Sequence, residues 1–202
     1  MTFRLPLALQ TPDDDAALKL LGRYFHGPSR ADGAEFDIWA PDSDPDRFTA
    51  DDLIAIKFLS VEAPKDAVRA LLRDRADEFA KLLTELGPDR DLADEPPLDD
   101  NWVGWTLMNR LRSIDKVGTT TASKLLARKR PRLRPIWDSV VAEVTDSGRQ
   151  LWEPLRAELA KDDKALHHRL VRLHREAKLP DEVSPLRVFD VIAWREGKDR
   201  GF

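Results

Sequence analysis

Apolar side chains recur at intervals of three and four residues in one segment after another, and this spacing constrains the fold more than any other feature. It places the apolar side chains on one face of an α-helix, and that face must be buried against another element. Segments of this kind cover residues 13–26, 49–59, 64–87, 102–111, 119–129, 138–144, 149–161, 163–177 and 184–194. The sequence therefore predicts a mainly α, multi-helix globular protein.

Cap residues agree with this assignment at two helix starts. Thr49 followed by Asp52 resembles a capping box, and Ser184 followed by Pro185 is typical of an N-cap and a first-turn proline. One stretch departs from helical spacing. Residues 33–40 hold apolar side chains in partial alternation between turn residues, which predicts one short strand or hairpin, or else an irregular packed loop.

Composition excludes several classes of protein. The 202 residues are 42% hydrophobic and 35% charged, as in a folded protein, and they include no Cys, which excludes disulfides, iron–sulfur clusters and Cys-type zinc sites. No apolar run approaches 18 residues, and the N-terminus lacks the pattern of a signal peptide. We therefore expect a cytoplasmic protein with no membrane partner.

Charge divides the chain into two halves. Residues 1–100 hold 12 basic and 23 acidic side chains, whereas residues 101–202 hold 21 basic and 14 acidic ones. The proline-rich stretch 88–100 has no apolar period and is the best candidate for a linker. This pattern predicts an acidic helical half, 1–100, and a basic half, 101–202, either as separate units or as two lobes of one continuous domain.

The basic half contains a helical hairpin. A helix through Trp102 and Leu111 is followed by a tight turn that ends at Gly118 and by a second helix from Thr119 to about Lys129. A glycine before a helix start exposes backbone N–H groups at the positive end of the helix dipole, which suits a phosphate. The candidate contact residues at this turn are Lys116, Val117, Gly118, Thr119 and Thr120.

A basic run follows the hairpin. Residues 101–135 contain nine Lys or Arg and one acid, Asp115, although the whole chain has a net charge of −4. Focused positive charge beside a phosphate-sized turn favours a nucleic-acid partner, with DNA as the expected ligand. The further candidate contact residues are Lys124, Arg128, Lys129, Arg130, Arg132 and Arg134. The alternative is that these cations only solvate a helical face.

The hairpin and a later run together resemble a known superfamily. Ile114-Asp115-Lys116-Val117-Gly118 and Ile136-Trp137-Asp138-Ser139-Val140-Val141 are similar to the phosphate-binding hairpin and catalytic segment of the helix-hairpin-helix DNA glycosylases. In that superfamily a catalytic Asp stands about twenty residues after the last hairpin Gly, the spacing found between Gly118 and Asp138. The resemblance covers about 40 residues and implies base excision by Asp138 without a metal or redox cofactor. The whole chain also looks similar to an uncharacterised bacterial family of unknown function.

The sequence departs from that pattern at several positions. Lys116 replaces the first hairpin Gly, and its ammonium could pair with a phosphate directly. Ser139 stands where the superfamily has Thr, and Val140 where it has His. Thr120 occupies the position of the Schiff-base Lys of members that also cleave the backbone, so the resemblance implies a monofunctional glycosylase rather than a lyase.

Each candidate residue also has a structural interpretation. Asp138 could simply cap the helix that it opens, and Trp137, the candidate for stacking on a base, could belong to the core, as could Trp102 and Trp105. His167, His168 and His174 lack the spacing of helical metal ligands, so no metal site is predicted. The alternatives to a glycosylase are a non-catalytic nucleic-acid-binding module and a helical domain that binds a protein partner.

Overall fold

The protein is all-helical in the residues that the computed structural model describes, 3–148 and 150–202. Twelve α-helices were assigned in this part of the chain. They are α1 Leu7–Gln10, α2 Asp15–Phe25, α3 Glu35–Ile38, α4 Ala50–Ala55, α5 Lys65–Arg69, α6 Ala76–Leu86, α7 Val103–Arg112, α8 Thr119–Lys129, α9 Ser139–Thr145, α10 Trp152–Ala160, α11 Ala165–Glu176 and α12 Pro185–Asp199. The predicted mainly α class is confirmed.

Short helical turns join several of these helices. Four are 3₁₀ turns, at Asp32–Ala34, Ile56–Leu59, Leu92–Asp94 and Asp162–Lys164. A π-helical segment, Ala70–Asp74, separates α5 from α6, so the periodic segment 64–87 is a broken helix. The first residue of the predicted segment 149–161 lies outside the described residues, and the remainder contains α10.

The prediction of a strand or hairpin near residues 33–40 is wrong. This stretch folds as a 3₁₀ turn followed by α3. Two consecutive residues of this stretch, Phe36 and Asp37, are both buried. A half-buried strand would expose one of them, because successive side chains of a strand point to opposite faces. Asp37 is buried because it pairs with Arg187 of α12, with Nε at 3.0 Å from Oδ2.

Helix α12 lies at the centre of the packing. Its apolar residues Val188, Phe189, Val191 and Ile192 are fully or almost fully buried, and it contacts α1, α2, α9 and α11. Ser184 caps it by accepting a hydrogen bond from the backbone N–H of Arg187 at 3.1 Å. The predicted capping box at α4 is also present.

Both halves of the sequence contribute to one hydrophobic core. Helices of residues 1–100 pack directly on helices of residues 101–202, including α2 on α12, α4 on α8 and α6 on α7. A single buried cluster runs from Ala8 to Ala193. Within the described residues, we found no helix with the length and apolarity needed to cross a membrane.

Candidate functional site

The helical hairpin is formed by α7 and α8. Its turn is fixed by Ile114 and Val117, whose side chains are buried, while the backbone of Lys116 takes a left-handed conformation with φ of 62°. Glycine adopts that conformation without steric cost, whereas a lysine there is strained.

The N-terminus of α8 is open. Gly118 is its N-cap residue and no side chain of the described residues caps this end, so the first N–H groups of α8 have no partner within the helix. A Cβ atom placed on Gly118 would meet no atom within 4 Å. Thr119 and Thr120, in the first turn, are half-buried. The geometry leaves room for an anion at this end of the helix.

Most of the basic run faces inward. The side chain of Arg128 is 8% exposed, and its guanidinium donates to the carbonyl oxygens of Phe36, Asp37, Trp39 and Ala40 at the end of α3. Phe36 and Asp37 belong to the last turn of α3, whose carbonyl oxygens lack partners within the helix, and Trp39 and Ala40 follow it. A cation satisfies such a helix C-terminus well.

Lys129 and Arg130 are buried in the same way. The ammonium of Lys129 lies 2.5 Å from Asp52 and donates to the carbonyl oxygen of Asp44 at 2.7 Å. Arg130, with no exposed surface, donates to the carbonyl oxygens of Gly87 at 2.6 Å and Leu83 at 2.8 Å. Both cations thus satisfy groups of the acidic half.

Arg134 is buried against aromatic rings. The carbon at the centre of its guanidinium lies 3.3 Å from the ring centroid of Trp152 and 4.2 Å from that of Trp102. Its three side-chain nitrogens have no hydrogen-bond partner among the described residues. Burial holds the pKa of Arg134 well below its ordinary value.

The candidate DNA-contact residues along 124–134 therefore do not form an exposed cationic surface, which corrects that expectation. Lys124, Lys129, Arg130 and Arg134 are buried, and Arg132, which is exposed, is paired with Asp91 at 2.5 Å. Sequence charge alone could not reveal this, because the partners are backbone carbonyls and acids distant in the chain. The exposed cations that remain on the hairpin are Arg110, Arg112 and Lys116.

Asp138 both caps a helix and faces a cavity. Its Oδ1 accepts a hydrogen bond from the backbone N–H of Val140 at 2.9 Å, at the start of α9. Its Oδ2 lies 3.8 Å from the ammonium of Lys124, and 19% of the side chain is exposed. The carboxylate lines an open cavity of about 520 Å³. Asp138 can therefore cap α9 with one carboxylate oxygen while the other faces the cavity.

Ser123 fixes Asp138 relative to the hairpin. The backbone N–H of Trp137 donates to Ser123 Oγ at 3.1 Å, and the same hydroxyl lies 3.0 Å from the carbonyl oxygen of Thr120. One buried side chain of α8 thus connects the first turn of that helix to the residue that precedes Asp138.

Lys124 is the one member of the basic run that faces the cavity. Its ammonium donates to the carbonyl oxygen of Leu59 at 2.8 Å, and burial lowers its pKa, although the nearby Asp138 acts in the opposite direction. It projects from α8 one turn after Thr120, which also lines the cavity.

The floor of the cavity is a buried ionic network on α12. Arg187 pairs with Asp37 and Asp190 and donates to the hydroxyl of Tyr24 at 2.7 Å. Burial, together with the charge of Asp138, raises the pKa of Asp190 to about 6, although Arg187 acts to lower it. Phe58 and Trp194 add aromatic walls.

Sequence reasoning missed this network. Arg187 and Asp190 are three residues apart on α12, the helix at the centre of the packing, and they are its buried charges together with Glu196. Charged residues on a buried helix face are costly unless paired, so their presence in an apolar segment was the available signal.

Trp137 does not line the Asp138 cavity. Its indole N–H donates to the carbonyl oxygen of Gly148 at 2.7 Å, and its half-buried ring lines a separate pocket with Trp105 and Trp152. The two candidate site residues 137 and 138 therefore face different pockets. In the described part of the chain, no group of three or more His, Asp or Glu side chains is arranged to hold a metal ion.

Fold and site define an all-helical protein with a hairpin beside a charged, aromatic-walled cavity. The chain belongs to a family of unknown function, DUF6308, whose model matches residues 17–197. This match confirms the similarity to an uncharacterised family and brings no activity with it. Comparison with curated proteins and with solved structures gave no match.

Proposed function

We propose that this protein binds DNA through the hairpin at residues 114–120 and hydrolyses the N-glycosidic bond of a base held in the Asp138 cavity. One observation carries the proposal. The cavity is lined by Asp138, by Lys124 and by Thr120 in the first turn of α8. The carboxylate of Asp138 therefore lies beside the helix N-terminus that suits a phosphate. A nucleotide whose phosphate bound there would have its sugar close to the carboxylate.

The chemistry suits one carboxylate. Breaking the bond between C1′ of the sugar and the base nitrogen sends the electron pair to the base and builds positive charge on the sugar. Asp138 would stabilise that charge and orient a water, whose oxygen bonds to C1′ while its proton passes through the carboxylate to the departing base. Oδ1 is held by the Val140 N–H, which leaves Oδ2 for this role.

The cavity has the size and lining for a base. Its volume of about 520 Å³ lies in the range of small-molecule sites, and Tyr24, Phe58 and Trp194 provide aromatic surface. An extruded base is recognised by stacking on such rings and by polar groups at its edge. Asp190 and Lys124 line the same cavity and offer those polar groups.

The decisive experiment compares base release and binding in matched variants. Purified full-length protein is incubated with duplexes that carry uracil, hypoxanthine, alkylated or oxidised bases, and the released bases are measured by mass spectrometry. Asp138→Asn should keep the helix cap and DNA binding but lower the release rate by about 10²–10⁴-fold. Glu143→Gln, which changes an exposed acid on the same helix, is the control and should release bases at the wild-type rate.

Release that is equally fast in the Asp138→Asn protein would exclude the catalytic role. If no substrate releases a base while binding persists, the second candidate is favoured, a non-catalytic nucleic-acid-binding module in which Asp138 only caps α9. That candidate is supported by the hydrogen bond from Val140 to the carboxylate.

The salt dependence of binding distinguishes the glycosylase and the non-catalytic nucleic-acid-binding module from a protein-interaction domain. The exposed cations on the hairpin are Arg110, Arg112 and Lys116, and Arg110 also lies 3.5 Å from Glu78. We therefore expect a slope of log K against log salt of about −2 to −3. Nine exposed cations would have given a slope of roughly −8. Binding that does not respond to salt, or no binding in dilute buffer, would support a protein partner instead.

A further inference from the structure

A second pocket opens on the other side of the first turn of α8. Its walls are the indoles of Trp105, Trp137 and Trp152 with Met108 and Leu151, and its volume is about 150 Å³. Thr119 lines this pocket, whereas its neighbour Thr120 lines the Asp138 cavity. The open helix end therefore separates two pockets of different chemistry.

The indole walls are held in place without a ligand. The rings of Trp105 and Trp152 are stacked, with centroids 4.7 Å apart and planes 18° apart. The indole N–H of Trp152 donates to the carbonyl oxygen of Pro135 at 3.0 Å, and that of Trp137 donates to Gly148. Walls fixed in this way lose little entropy when a planar ring binds against them.

Arg134 and Gly104 complete this arrangement. The guanidinium of Arg134 lies against Trp152 and Trp102, and a Cβ atom on Gly104 would come within 2.7 Å of Trp102 and 2.8 Å of Arg134. The absence of a side chain at position 104 is thus what permits the stack of cation and indoles behind the pocket.

The mouth of the pocket is polar. Asn109 and Arg112, on the last turns of α7, are exposed and line it together with Thr119. Arg110 lies 3.5 Å from Glu78, whereas Arg112 has no acidic partner among the described residues. An amide can bond a base edge in two places, and a guanidinium suits a phosphate.

We propose that this tryptophan pocket binds the base of one nucleotide in a DNA strand, with Arg112 on its phosphate and Asn109 at the base edge. The pocket matches in volume a cavity that holds one aromatic ring, and because it is open at its mouth it has room for one base but not for two. Stacking on indoles tolerates any base, so this site contributes affinity more than sequence preference.

This inference rests on the proposed DNA binding but not on catalysis by Asp138. A strand that placed one phosphate at the N-terminus of α8 would pass one nucleotide on each side of it. One base would enter the Asp138 cavity, and a neighbouring base the tryptophan pocket. The tryptophan pocket would thereby fix the position of the strand relative to the Asp138 cavity, whether or not a base is excised there.

The test follows the six indole N–H signals of ¹⁵N-labelled full-length protein by NMR. It uses two probes, deoxyadenosine monophosphate and a short single-stranded oligonucleotide of the same base. We expect the signals of Trp105 and Trp137 to shift in a saturable way, and the signal of Trp39, which donates to Asp51 elsewhere, to stay unchanged. A response to the oligonucleotide supports a strand as the ligand, and a response to the monophosphate alone would exclude a strand and overturn the proposal.

A matched pair of arginine variants and a third, uncharged change make the test specific. Arg112→Ala should weaken oligonucleotide binding about tenfold, whereas Arg110→Ala removes the same charge from the same turn of α7 and should have a smaller effect. Asn109→Leu should weaken binding without changing the charge. Equal losses in the two arginine variants, or unshifted Trp105 and Trp137 signals at saturating oligonucleotide, would overturn the site.

The outcome is distinguishable from that of the proposed function. Base release that depends on Asp138, together with unshifted Trp105 and Trp137 signals, keeps the glycosylase and removes the tryptophan site. Shifted signals without any base release keep the tryptophan site and remove the glycosylase.

Discussion

The ammonium of Lys129 lies 2.5 Å from a carboxylate oxygen of Asp52, and both side chains are sealed from solvent, at 1% and 0% exposure. Asp52 also completes the capping box of α4, and Arg128 lies 3.4 Å from its other oxygen. This cluster joins α8 of the basic half to α4 of the acidic half. Part of the charge asymmetry along the sequence is therefore neutralised inside the protein.

Removing one member of this buried pair should be strongly destabilising. Lys129→Ala leaves Asp52 buried with less compensation, and we expect a loss of about 3–5 kcal/mol in the free energy of unfolding. Lys81→Ala is the control, because Lys81 and Glu85 form an exposed pair at 3.8 Å whose loss costs less than about 1 kcal/mol. Urea unfolding followed by circular dichroism measures the free energy of unfolding of both variants. Similar losses would contradict a stabilising role of the buried pair between Lys129 and Asp52.

Gly104 should not tolerate a side chain. Gly104→Ala forces a Cβ atom against Trp102 and the Arg134 guanidinium, and we expect a cost of about 1–3 kcal/mol from overpacking. Gly22→Ala is the matched change in α2, where a Cβ atom would meet nothing within 4 Å. That variant should be more stable by about 0.5–1 kcal/mol. Thermal unfolding of both proteins would reveal opposite shifts, and a Gly104→Ala protein as stable as wild type would refute the packing argument.

Asp190 should make stability depend on pH. Its pKa rises on folding from an ordinary value of 3.8 to about 6, so the folded protein binds this proton more tightly than the unfolded chain does. The contribution of this group to the free energy of unfolding is therefore greatest below pH 3.8, falls as the pH rises to about 6 and is constant above that. Arg187, Lys124 and Asp138 are the charged groups that act on it.

The corresponding measurement is urea unfolding at several pH values for the wild type and for Asp190→Asn. The variant lacks the titrating group, so its stability should fall less between pH 4 and about pH 6 than that of the wild type. Its lower stability at all pH values, from the altered contact with Arg187, does not affect this comparison. Parallel profiles for the two proteins would show that Asp190 is not the group responsible.

Lys116→Gly separates backbone conformation from charge at the hairpin. The left-handed backbone at φ of 62° disfavours a side chain, so glycine should leave stability unchanged or raise it by about 1 kcal/mol. If DNA binds at this turn as proposed, losing the ammonium should make the salt slope shallower by about 1.

Lys178→Gly provides the control for that experiment. Lys178 is also exposed and left-handed, with φ of 52°, but it follows α11 rather than the hairpin. Its replacement should change stability in the same direction and leave the salt slope as it is. Equal slopes for the two variants would place the DNA contact elsewhere.

Sequence spacing was sufficient for the helices and their caps. The periodic segments 13–26, 163–177 and 184–194 correspond to α2, α11 and α12, because amphipathic spacing and cap residues are local properties of the chain. The alternation in residues 33–40 wrongly predicts a strand, because so short a segment contains too few repeats to distinguish a strand from a helix. The buried pair between Asp37 and Arg187 explains its burial, and that pair spans 150 positions of sequence.

The sequence by itself determined the helical class, the hairpin and the twenty-residue interval between Gly118 and Asp138. Only the tertiary structure decided where the charges point. Arg128, Lys129 and Arg130 turn inward because backbone carbonyls of residues 36–87 need donors there, and no local pattern records that need. The same long-range packing brings Tyr24 of α2 and Asp190 of α12 beside Asp138, and it turns Trp137 towards a different pocket. Helices follow from neighbours in sequence, whereas cavities and ion pairs follow from neighbours in space.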